Sequence, residues 1–242
     1  MEAPFPLIVE VLGRSEQGVT RPFLCLADDG HKYYVKSRGA LWTSVVHEWV
    51  GSRLAQEFGL PVAPFTIVEV DEILSDELGD FDLEAGLAFG SRVAHATHEF
   101  EPSRTALCTA AFRQDLLAFD WWIRNQDRLL GPTAGRPNLL WQTTTQRPVV
   151  IDHNNAFDPD FNVAEFLSLH VCSSEWTAIT GDLWRRTEYE QRFTPLIDRL
   201  PVFWRELPHN WTHDDSGTAR ITMESIQSIL TRVDLPDFWN VS

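Results

Sequence analysis

The sequence predicts an α+β chain whose first part, residues 1–94, is rich in β-strands and whose second part, residues 95–242, is mainly helical. Short apolar runs bounded by Gly, Asp and Pro recur in the first part, which is typical of strands. In the second part apolar residues recur three and four positions apart, which is typical of helices. With 242 residues and 43% hydrophobic content, the chain can form one domain or two closely packed lobes.

Five strands and one helix are predicted in the first part. The segments that favour strands are residues 7–12, 22–27, 32–36, 65–70 and 86–95, the last as a strand and hinge. Residues 44–58 favour a helix, because Val46, Val50 and Leu54 recur at four-residue steps. Residues 71–84 hold seven carboxylates, which favours an exposed loop or a short helix.

The tip of the first predicted hairpin carries two glycines, Gly13 and Gly18. Backbone N–H groups in such a tip can bind the phosphates of a nucleotide. The tip lacks a complete Gly-x-Gly-x-x-Gly pattern, so a plain hairpin turn explains the two glycines equally well.

Only two of the 20 basic residues are lysines, Lys32 and Lys36, and both lie in the predicted strand 32–36. A lysine is a compact charge on a flexible stem, which suits contact with phosphate oxygens. We select Lys36, because its neighbours favour a buried strand, whereas Lys32 follows a polar turn and is expected to be solvated. Glu48 in the helix is the candidate ion partner of Lys36. The alternatives are ordinary surface lysines and a Glu48 that only complements the helix dipole.

Four segments of the second part show helical spacing. They are residues 102–124, 162–171, 182–200 and 222–232. The first is apolar on most of its sides, so we expect a buried helix. Such a helix would rigidly support the polar segment 125–128 that follows it.

Three polar side chains between residues 125 and 153 indicate a phosphoryl-transfer site. Asp127 follows the long apolar helix, Asn138 precedes a predicted strand at 139–142, and Asp152 closes a second at 149–152. Because a hairpin joins these strands, we expect Asn138 and Asp152 at the same end of it, close enough to bind one cation. An Asp that orients a hydroxyl and two ligands for Mg²⁺ are what ATP-dependent transfer needs. The alternative is a loop Asn and a hairpin-end Asp with structural roles only.

The composition bears on partners and location. The net charge of −15 argues against a nucleic-acid-binding surface, which is normally basic. No apolar run has the length of a membrane span, and the first residues do not resemble a secretory signal. Three scattered cysteines, Cys25, Cys108 and Cys172, are expected to be free thiols in a reducing cytoplasm.

The order of these motifs resembles the HipA-like kinases, in particular their short stand-alone branch. The motifs are Tyr-Val-Lys (34–36), a helix Glu, Asn-x-Asp-Arg (125–128), Pro-Asn-Leu-Leu (137–140) and Ile-Asp-His (151–153). The resemblance covers roughly residues 8–160. It implies a single protein-kinase-like domain with a small β-rich N-lobe (1–94, one helix) and a helical C-lobe (95–242). It also implies ATP with Mg²⁺ and a serine/threonine kinase acting on protein substrates. In some members the kinase is a growth-arresting toxin, which implies an antitoxin partner.

The resemblance assigns roles to four residues of the second part. Asp127 would be the base or orienting group, Arg128 would support its loop, and Asn138 and Asp152 would be the metal ligands. The chain departs from the commoner family pattern in that no His follows Arg128, the interval to Asn138 is long, and His-Asn-Asn follows Asp152 where glycine is frequent. The first two departures concern the loop and not the metal pair.

The resemblance also assigns residues of the first part to the cofactor. Lys36 would contact the ATP phosphates, and Glu48 would position it. Gly13, Ser15 and Gly18 would belong to the loop over the phosphates, with Ser15 a candidate autophosphorylation site. Two other readings stay open: a kinase-shaped module that binds nucleotide or a partner without turnover, and a kinase for a lipid or small molecule.

Overall fold

A computed structural model of the chain describes residues 5–15, 21–79, 82–131 and 137–240. It contains two compact units, each assembled from segments distant in sequence. The first comprises Met1–Val46, Ala63–His95 and Pro208–Arg220, and the second comprises His47–Val62, Ala96–Leu207 and Ile221–Ser242. Strands predominate before residue 95 and helices after it, which confirms the predicted α+β class.

The described residues among the first 94 form five strands and two α-helices. The elements are β1 (Leu7–Arg14), β2 (Phe23–Ala27), β3 (Lys32–Lys36), α1 (Trp42–Phe58), β4 (Phe65–Val70), α2 (Glu72–Leu78) and β5 (Gly86–Arg92). The sequence predicts only one of these helices, α1, and leaves the acidic segment as a loop or short helix. That segment forms α2, because the Asp71 carboxylate accepts a hydrogen bond from the Ile73 N–H (2.8 Å) and caps its start.

The five strands close into a barrel in the order β1-β2-β3-β5-β4. β1 runs antiparallel to β2, as predicted for the hairpin, and parallel to β4. The barrel core consists of small, aliphatic and aromatic side chains from every strand and from the segment before β5. They are Ile8, Phe23, Cys25, Ala27, Tyr33, Val35, Val68, Val70, Leu83 and Ala88.

Strand β3 alternates as its sequence predicts. Tyr33 and Val35 are buried, whereas Lys32 and Tyr34 are exposed. Lys36 shares the strand face of the two exposed residues, yet it is only 7% exposed. A buried lysine needs compensating polar groups, so this position differs from that of an ordinary surface lysine.

The segment Pro208–Arg220 packs on the barrel of the first unit, although it follows most of the second unit in sequence. It contains the short helix α8 (His209–Thr212). The indole N–H of Trp211 donates to the carbonyl of Leu87 (2.8 Å), and the ring stacks on Trp42 at 6.3 Å. Trp211 thus ties this segment to β5 by a hydrogen bond and by aromatic packing.

The second unit contains a small sheet and most of the helices. Its strands are β6 (Thr97–Glu99), β7 (Leu139–Gln142) and β8 (Arg147–Val150), in the order β6-β7-β8. Its helices, besides most of α1, are α3 (Ala110–Trp122), α4 (Val163–Leu169), α5 (Trp176–Thr180), α6 (Leu183–Ile197), α7 (Leu200–Arg205) and α9 (Met223–Leu230).

The long helix predicted at residues 102–124 is two helices. A 3₁₀ helix covers Pro102–Leu107, and α3 begins only after Thr109. The Thr109 hydroxyl accepts the Phe112 N–H (3.2 Å), so an N-cap interrupts the apolar pattern. α3 itself is buried as expected, and Trp122 donates its indole N–H to the carbonyl of Leu230 (2.9 Å).

We expect Gly90→Ala to destabilise the barrel. A Cβ at Gly90 in β5 would lie 2.6 Å from Val68 Cγ1 and 3.2 Å from Tyr33 Cδ1, both core atoms. Such overpacking should lower the free energy of unfolding by about 1–3 kcal/mol in urea denaturation. Gly13→Ala in β1 is the matched control, because a Cβ there meets nothing within 4 Å. Equal losses in the two variants would contradict this account.

Candidate active site in the second unit

Asn138 and Asp152 flank the same end of the β7–β8 hairpin, as the sequence predicts. Leu139 pairs with Val150. The N–H of Ile151, the first residue after β8, donates to the carbonyl of Asn138 (3.1 Å). β8 ends two residues earlier than predicted, so Asp152 follows the strand and does not close it. Both side chains are half-buried and therefore partly accessible to solvent.

Asp127 lies next to Asn138. The Asn138 amide donates through Nδ2 to Asp127 Oδ2 (2.6 Å) and to the Asp127 carbonyl (3.1 Å). This use of Nδ2 leaves Oδ1 as the side-chain atom of Asn138 that can act as a ligand. The two residues are 11 positions apart in the chain, and this pair of bonds brings them together.

The two hairpin-end residues share an uncommon backbone conformation. Asn138 has φ +48° and Asp152 has φ +59°, both in the left-handed region. Asn and Asp enter this region more readily than other residues with a Cβ, but it still costs energy, so the surrounding bonds must hold it. Conformations of this kind concentrate at functional sites.

Arg128 binds the hairpin from inside the second unit, with its side chain fully buried. Its Nη1 donates to the carbonyls of Asn138 (2.6 Å) and Ile151 (2.9 Å). Its Nε donates to Asp120 Oδ2 on α3 (2.9 Å). One guanidinium thus connects the segment of Asp127 to both strands at the open end of the hairpin. A catalytic role for this segment stays a prediction.

Asp120 is the counterion of this buried arginine. Burial alone would raise the pKa of Asp120, but the Arg128 guanidinium and the hydrogen bond from His170 together outweigh burial and hold the pKa below its ordinary value. The carboxylate is therefore charged at neutral pH, and the two opposite charges balance each other inside the protein.

The sequence argument missed Asp120 and His170 and gave no separate role to Asn125 of the Asn-x-Asp-Arg motif; all three are buried around Arg128. One signal was present for Asp120. It is the only polar residue in the apolar run 116–123, and a carboxylate buried in such a helix requires a partner. No comparable pattern marks His170, which lies 50 residues beyond Asp120 in the chain.

Helix α1 holds the segment that follows Asp152. Glu48, 2% exposed, accepts the N–H of His153 on Oε1 (3.2 Å), and the Ser52 hydroxyl bonds His153 Nδ1 (3.1 Å). Gly51 permits the close approach, since a Cβ there would lie 2.7 Å from His153 Cβ. Glu48 therefore supports the position after Asp152. Its predicted pairing with Lys36 stays a prediction.

Three of the predicted nucleotide-binding residues, Gly13, Ser15 and Lys36, lie in or beside the barrel. Lys36 ends β3 opposite Phe89 of β5. Gly13 belongs to β1 and is not in a turn, and the Ser15 N–H donates to the carbonyl of Pro22 (2.9 Å). Gly18 lies outside the described residues, as does the tip of the predicted phosphate loop.

The donors around the hairpin end fit Mg²⁺ bound together with a nucleotide. Asn138 Oδ1 and the Asp152 carboxylate are hard oxygen donors that flank the same end of the β7–β8 hairpin. Magnesium in such sites takes its other ligands from phosphates and water. Among the described residues there is no group of three His, Cys, Asp or Glu placed to hold a metal ion.

A comparison with protein families identifies the chain. Residues 8–242 match a family model described as HipA-like kinase. The chain belongs to the HipA-like kinase family. Membership supports a kinase function, and the match extends beyond the part of the chain in which the motifs were found. None of the curated proteins compared with the chain matches it.

Solved structures offer more distant likenesses. The crystal structure of the Helicobacter pylori proinflammatory kinase CtkA aligns with a TM-score of 0.45 and 10% identity, over 88% of this chain and 90% of that chain. The FAT and kinase domain of CtTel1 aligns with a TM-score of 0.37 and 11% identity, over 96% of this chain and 22% of that chain. At such TM-scores, family membership depends on the sequence match. No helix of the described residues is long and apolar enough to cross a membrane.

We expect His47 to make the protein less stable as the pH falls from 6.5 towards 4. Burial lowers the pKa of this α1 histidine to about 4, more than its hydrogen bond to the Asn154 backbone raises it. The unfolded chain takes up the proton near pH 6.5, so acid favours unfolding. Between pH 7 and pH 5 the wild type should lose about 2 kcal/mol more than His47→Gln in chemical denaturation. The same slope in both proteins would exclude this cause.

Proposed function

We propose that this protein is an ATP- and Mg²⁺-dependent serine/threonine protein kinase that transfers the γ-phosphate to a protein hydroxyl. The observation that carries the proposal is that Asn138 bonds the Asp127 carboxylate, while one buried arginine binds the carbonyls of Asn138 and of Ile151, the residue before Asp152. Family membership supports the kinase class. Residues 1–94 would form the N-lobe of a kinase and residues 95–242 its C-lobe, although most of α1 belongs to the second compact unit and Pro208–Arg220 to the first.

The residues of the second unit would divide the work of transfer between them. Asp127 would orient the acceptor hydroxyl and take its proton, since its carboxylate is half-buried and held by Asn138 Nδ2 at 2.6 Å. Asn138 Oδ1 and the Asp152 carboxylate would hold the metal ion. Mg²⁺ supplies neutralisation of the phosphate charge when it is bound with ATP. Arg128 would keep these groups in register through the hairpin carbonyls.

Residues of the first part of the chain would contribute the charge that meets the phosphates. Lys36 is a buried ammonium at a strand end, and Glu48 would position it as the resemblance implies. Gly13, Ser15 and Gly18 would belong to the phosphate-covering loop, with Ser15 as the candidate autophosphorylation site. The positioned charges matter more than covalent chemistry, because phosphoryl transfer depends on alignment and electrostatic stabilisation.

A protein acceptor agrees better with the charge than an anionic lipid does. The net charge of −15 disfavours binding to an acidic membrane surface. Cys25, Cys108 and Cys172 are all free and buried, which suits a cytoplasmic protein. An antitoxin partner would follow if this member acts as a toxin, and no nucleic acid is expected as a direct partner.

We expect Asp127→Asn to abolish phosphoryl transfer and leave ATP binding intact. The amide oxygen can still accept from Asn138, so the loop should keep its shape, but the base is lost. Transfer of radiolabelled γ-phosphate should fall by a factor of roughly 10² or more. Phosphoamino-acid analysis of the labelled product should give phosphoserine or phosphothreonine.

The matched control is Asp160→Asn, which removes the same charge from an exposed position in the loop before α4. It should transfer phosphate as the wild type does. Label that survives Asp127→Asn would remove Asp127 from the mechanism. Wild-type protein that binds ATP without transfer would be a pseudokinase, and label found only on a lipid or small molecule would change the acceptor class.

We expect Mg²⁺-ATP to raise the melting temperature more than Mg²⁺ alone. A ligand at a hundred times its dissociation constant adds about 2.7 kcal/mol to the free energy of unfolding. Asp152→Asn should reduce this gain and raise the Mg²⁺ concentration that half-saturates it, because one metal ligand loses its charge. An unchanged melting temperature at millimolar ATP would contradict nucleotide binding.

A further inference from the structure

The carboxylate of Asp120 accepts hydrogen bonds from three buried side chains. Asn125 Nδ2 donates to Oδ1 (2.9 Å), while Arg128 Nε (2.9 Å) and His170 Nε2 (3.0 Å) donate to Oδ2. Asp120, Asn125 and Arg128 are 0% exposed, and His170 is 2% exposed. We call these four residues the Asp120 cluster. Its polar atoms have no contact with bulk water, so their geometry is set by one another.

Two chains of hydrogen bonds, which we call the two arms, lead from Asp120 to the candidate active site. In the first, Asn125 Oδ1 accepts the backbone N–H of Asp127 (3.2 Å). In the second, Arg128 Nη1 binds the carbonyls of Asn138 and Ile151, the residue before Asp152. The Asp120 carboxylate thus orients Asn125 and Arg128. These two side chains hold the backbone of Asp127 and of the hairpin end that carries both proposed metal ligands.

His170 completes the cluster as a neutral donor. Its Nδ1 accepts the N–H of Cys172 (3.1 Å), so its hydrogen lies on Nε2 and points to Asp120. Burial lowers the pKa of His170, which keeps the ring uncharged at neutral pH. Within the Asp120 cluster, Arg128 is then the cation that balances Asp120. Backbone bonds support this placement, because the Val171 N–H donates to the Arg128 carbonyl (2.9 Å).

We infer that Asp120 is a positioning residue for phosphoryl transfer, acting through Asn125 and Arg128. This inference rests on the proposed function. The described hydrogen bonds of the Asp120 side chain go to Asn125, Arg128 and His170, so its proposed role is to position other groups and not to touch the substrate. Its effect would be on the alignment of Asp127 with the metal ligands, and misalignment by about 1 Å can cost roughly 10²-fold in rate.

Only a carboxylate can fill this place. An asparagine would present one accepting oxygen and one donating NH₂, whereas donors approach both oxygens of Asp120. The asparagine NH₂ would then face an N–H donor of one of the two arms, and the charge of Arg128 would have no counterion. Asp120→Asn therefore changes the pattern of hydrogen bonds with little change in volume, which separates alignment from core packing.

A matched control lies on the same helix. Asp115 of α3 also binds an arginine and a hydroxyl, since Arg192 Nη1 (2.6 Å) and Tyr189 Oη (2.9 Å) both donate to its Oδ1. In the described part of the chain, the hydrogen bonds of these three side chains go to one another and to the carbonyl of Phe58, not to Asp127 or the hairpin. Asp115→Asn removes an ion pair of the second unit and should reduce stability without an effect on the site.

The test compares the two variants at a temperature where circular dichroism shows each of them folded. Asp120→Asn should lower kcat by about 10- to 100-fold and change KM for ATP by less than about threefold. The reason is that the alignment of Asp127 with the metal ligands is lost, whereas ATP binding is not. It should also raise the Mg²⁺ concentration needed for half-maximal activity. Asp115→Asn should keep wild-type kcat and Mg²⁺ dependence.

A second measurement uses the protein without ATP or metal. Amide hydrogen exchange at Asp127 and Ile151 should be at least about tenfold faster in Asp120→Asn than in the wild type. The Asp127 N–H bonds Asn125, and the Ile151 N–H bonds the Asn138 carbonyl that Arg128 also binds. Asp115→Asn should leave these two amides unchanged. Equal exchange in Asp120→Asn and wild type would overturn the inference, as would a fall in kcat no larger than that of Asp115→Asn.

The two proposals can fail separately. If the wild type transfers no phosphate, the proposed kinase activity fails, and amide exchange alone decides whether Asp120 positions the loop. If Asp120→Asn does not fold, His170→Phe and His170→Gln replace it. The glutamine can offer an N–H to Asp120 and should restore kcat and slow exchange, whereas phenylalanine should not. Identical behaviour of the two His170 variants would overturn the inference.

Discussion

The guanidinium of Arg128 is the interaction on which the candidate site depends. Placing a full charge where no water reaches it costs several kcal/mol, and the structure offsets this cost with Asp120 and with the carbonyls of Asn138 and Ile151. Loss of one partner of such a pair typically costs about 3–5 kcal/mol. Because the carbonyls belong to the hairpin ends, the geometry of the site and the stability of the second unit depend on the same bonds.

Local patterns in the sequence predicted the barrel strands and the hairpin well. β3 and β4 have the predicted bounds, since their alternation and flanking turns leave little freedom of register. The placement of Asn138 and Asp152 at one hairpin end followed from the two short strands and the polar tip between them. Apolar periodicity was less reliable at residues 102–124, where the Thr109 cap starts a new helix inside a continuous apolar pattern.

The residues that support the site were not predictable in the same way. The bond between Asp120 and His170 joins positions 50 residues apart, and no local periodicity encodes a contact of that range. The short interval from Asp120 to Arg128 could have indicated a buried pair, because a carboxylate amid apolar residues requires a partner. The roles of Lys36 and Glu48 likewise came from a resemblance of motif order, and burial alone does not assign them.

The contact of Trp211 with Leu87 has a consequence for biosynthesis. These residues are 124 positions apart, and at 5–20 residues per second the ribosome needs roughly 6–25 s to add that length. During this interval the nascent barrel exposes the surface that α8 later covers. The amino-terminal unit therefore cannot mature fully while its own strands emerge, and a chaperone would have a window of seconds in which to engage it.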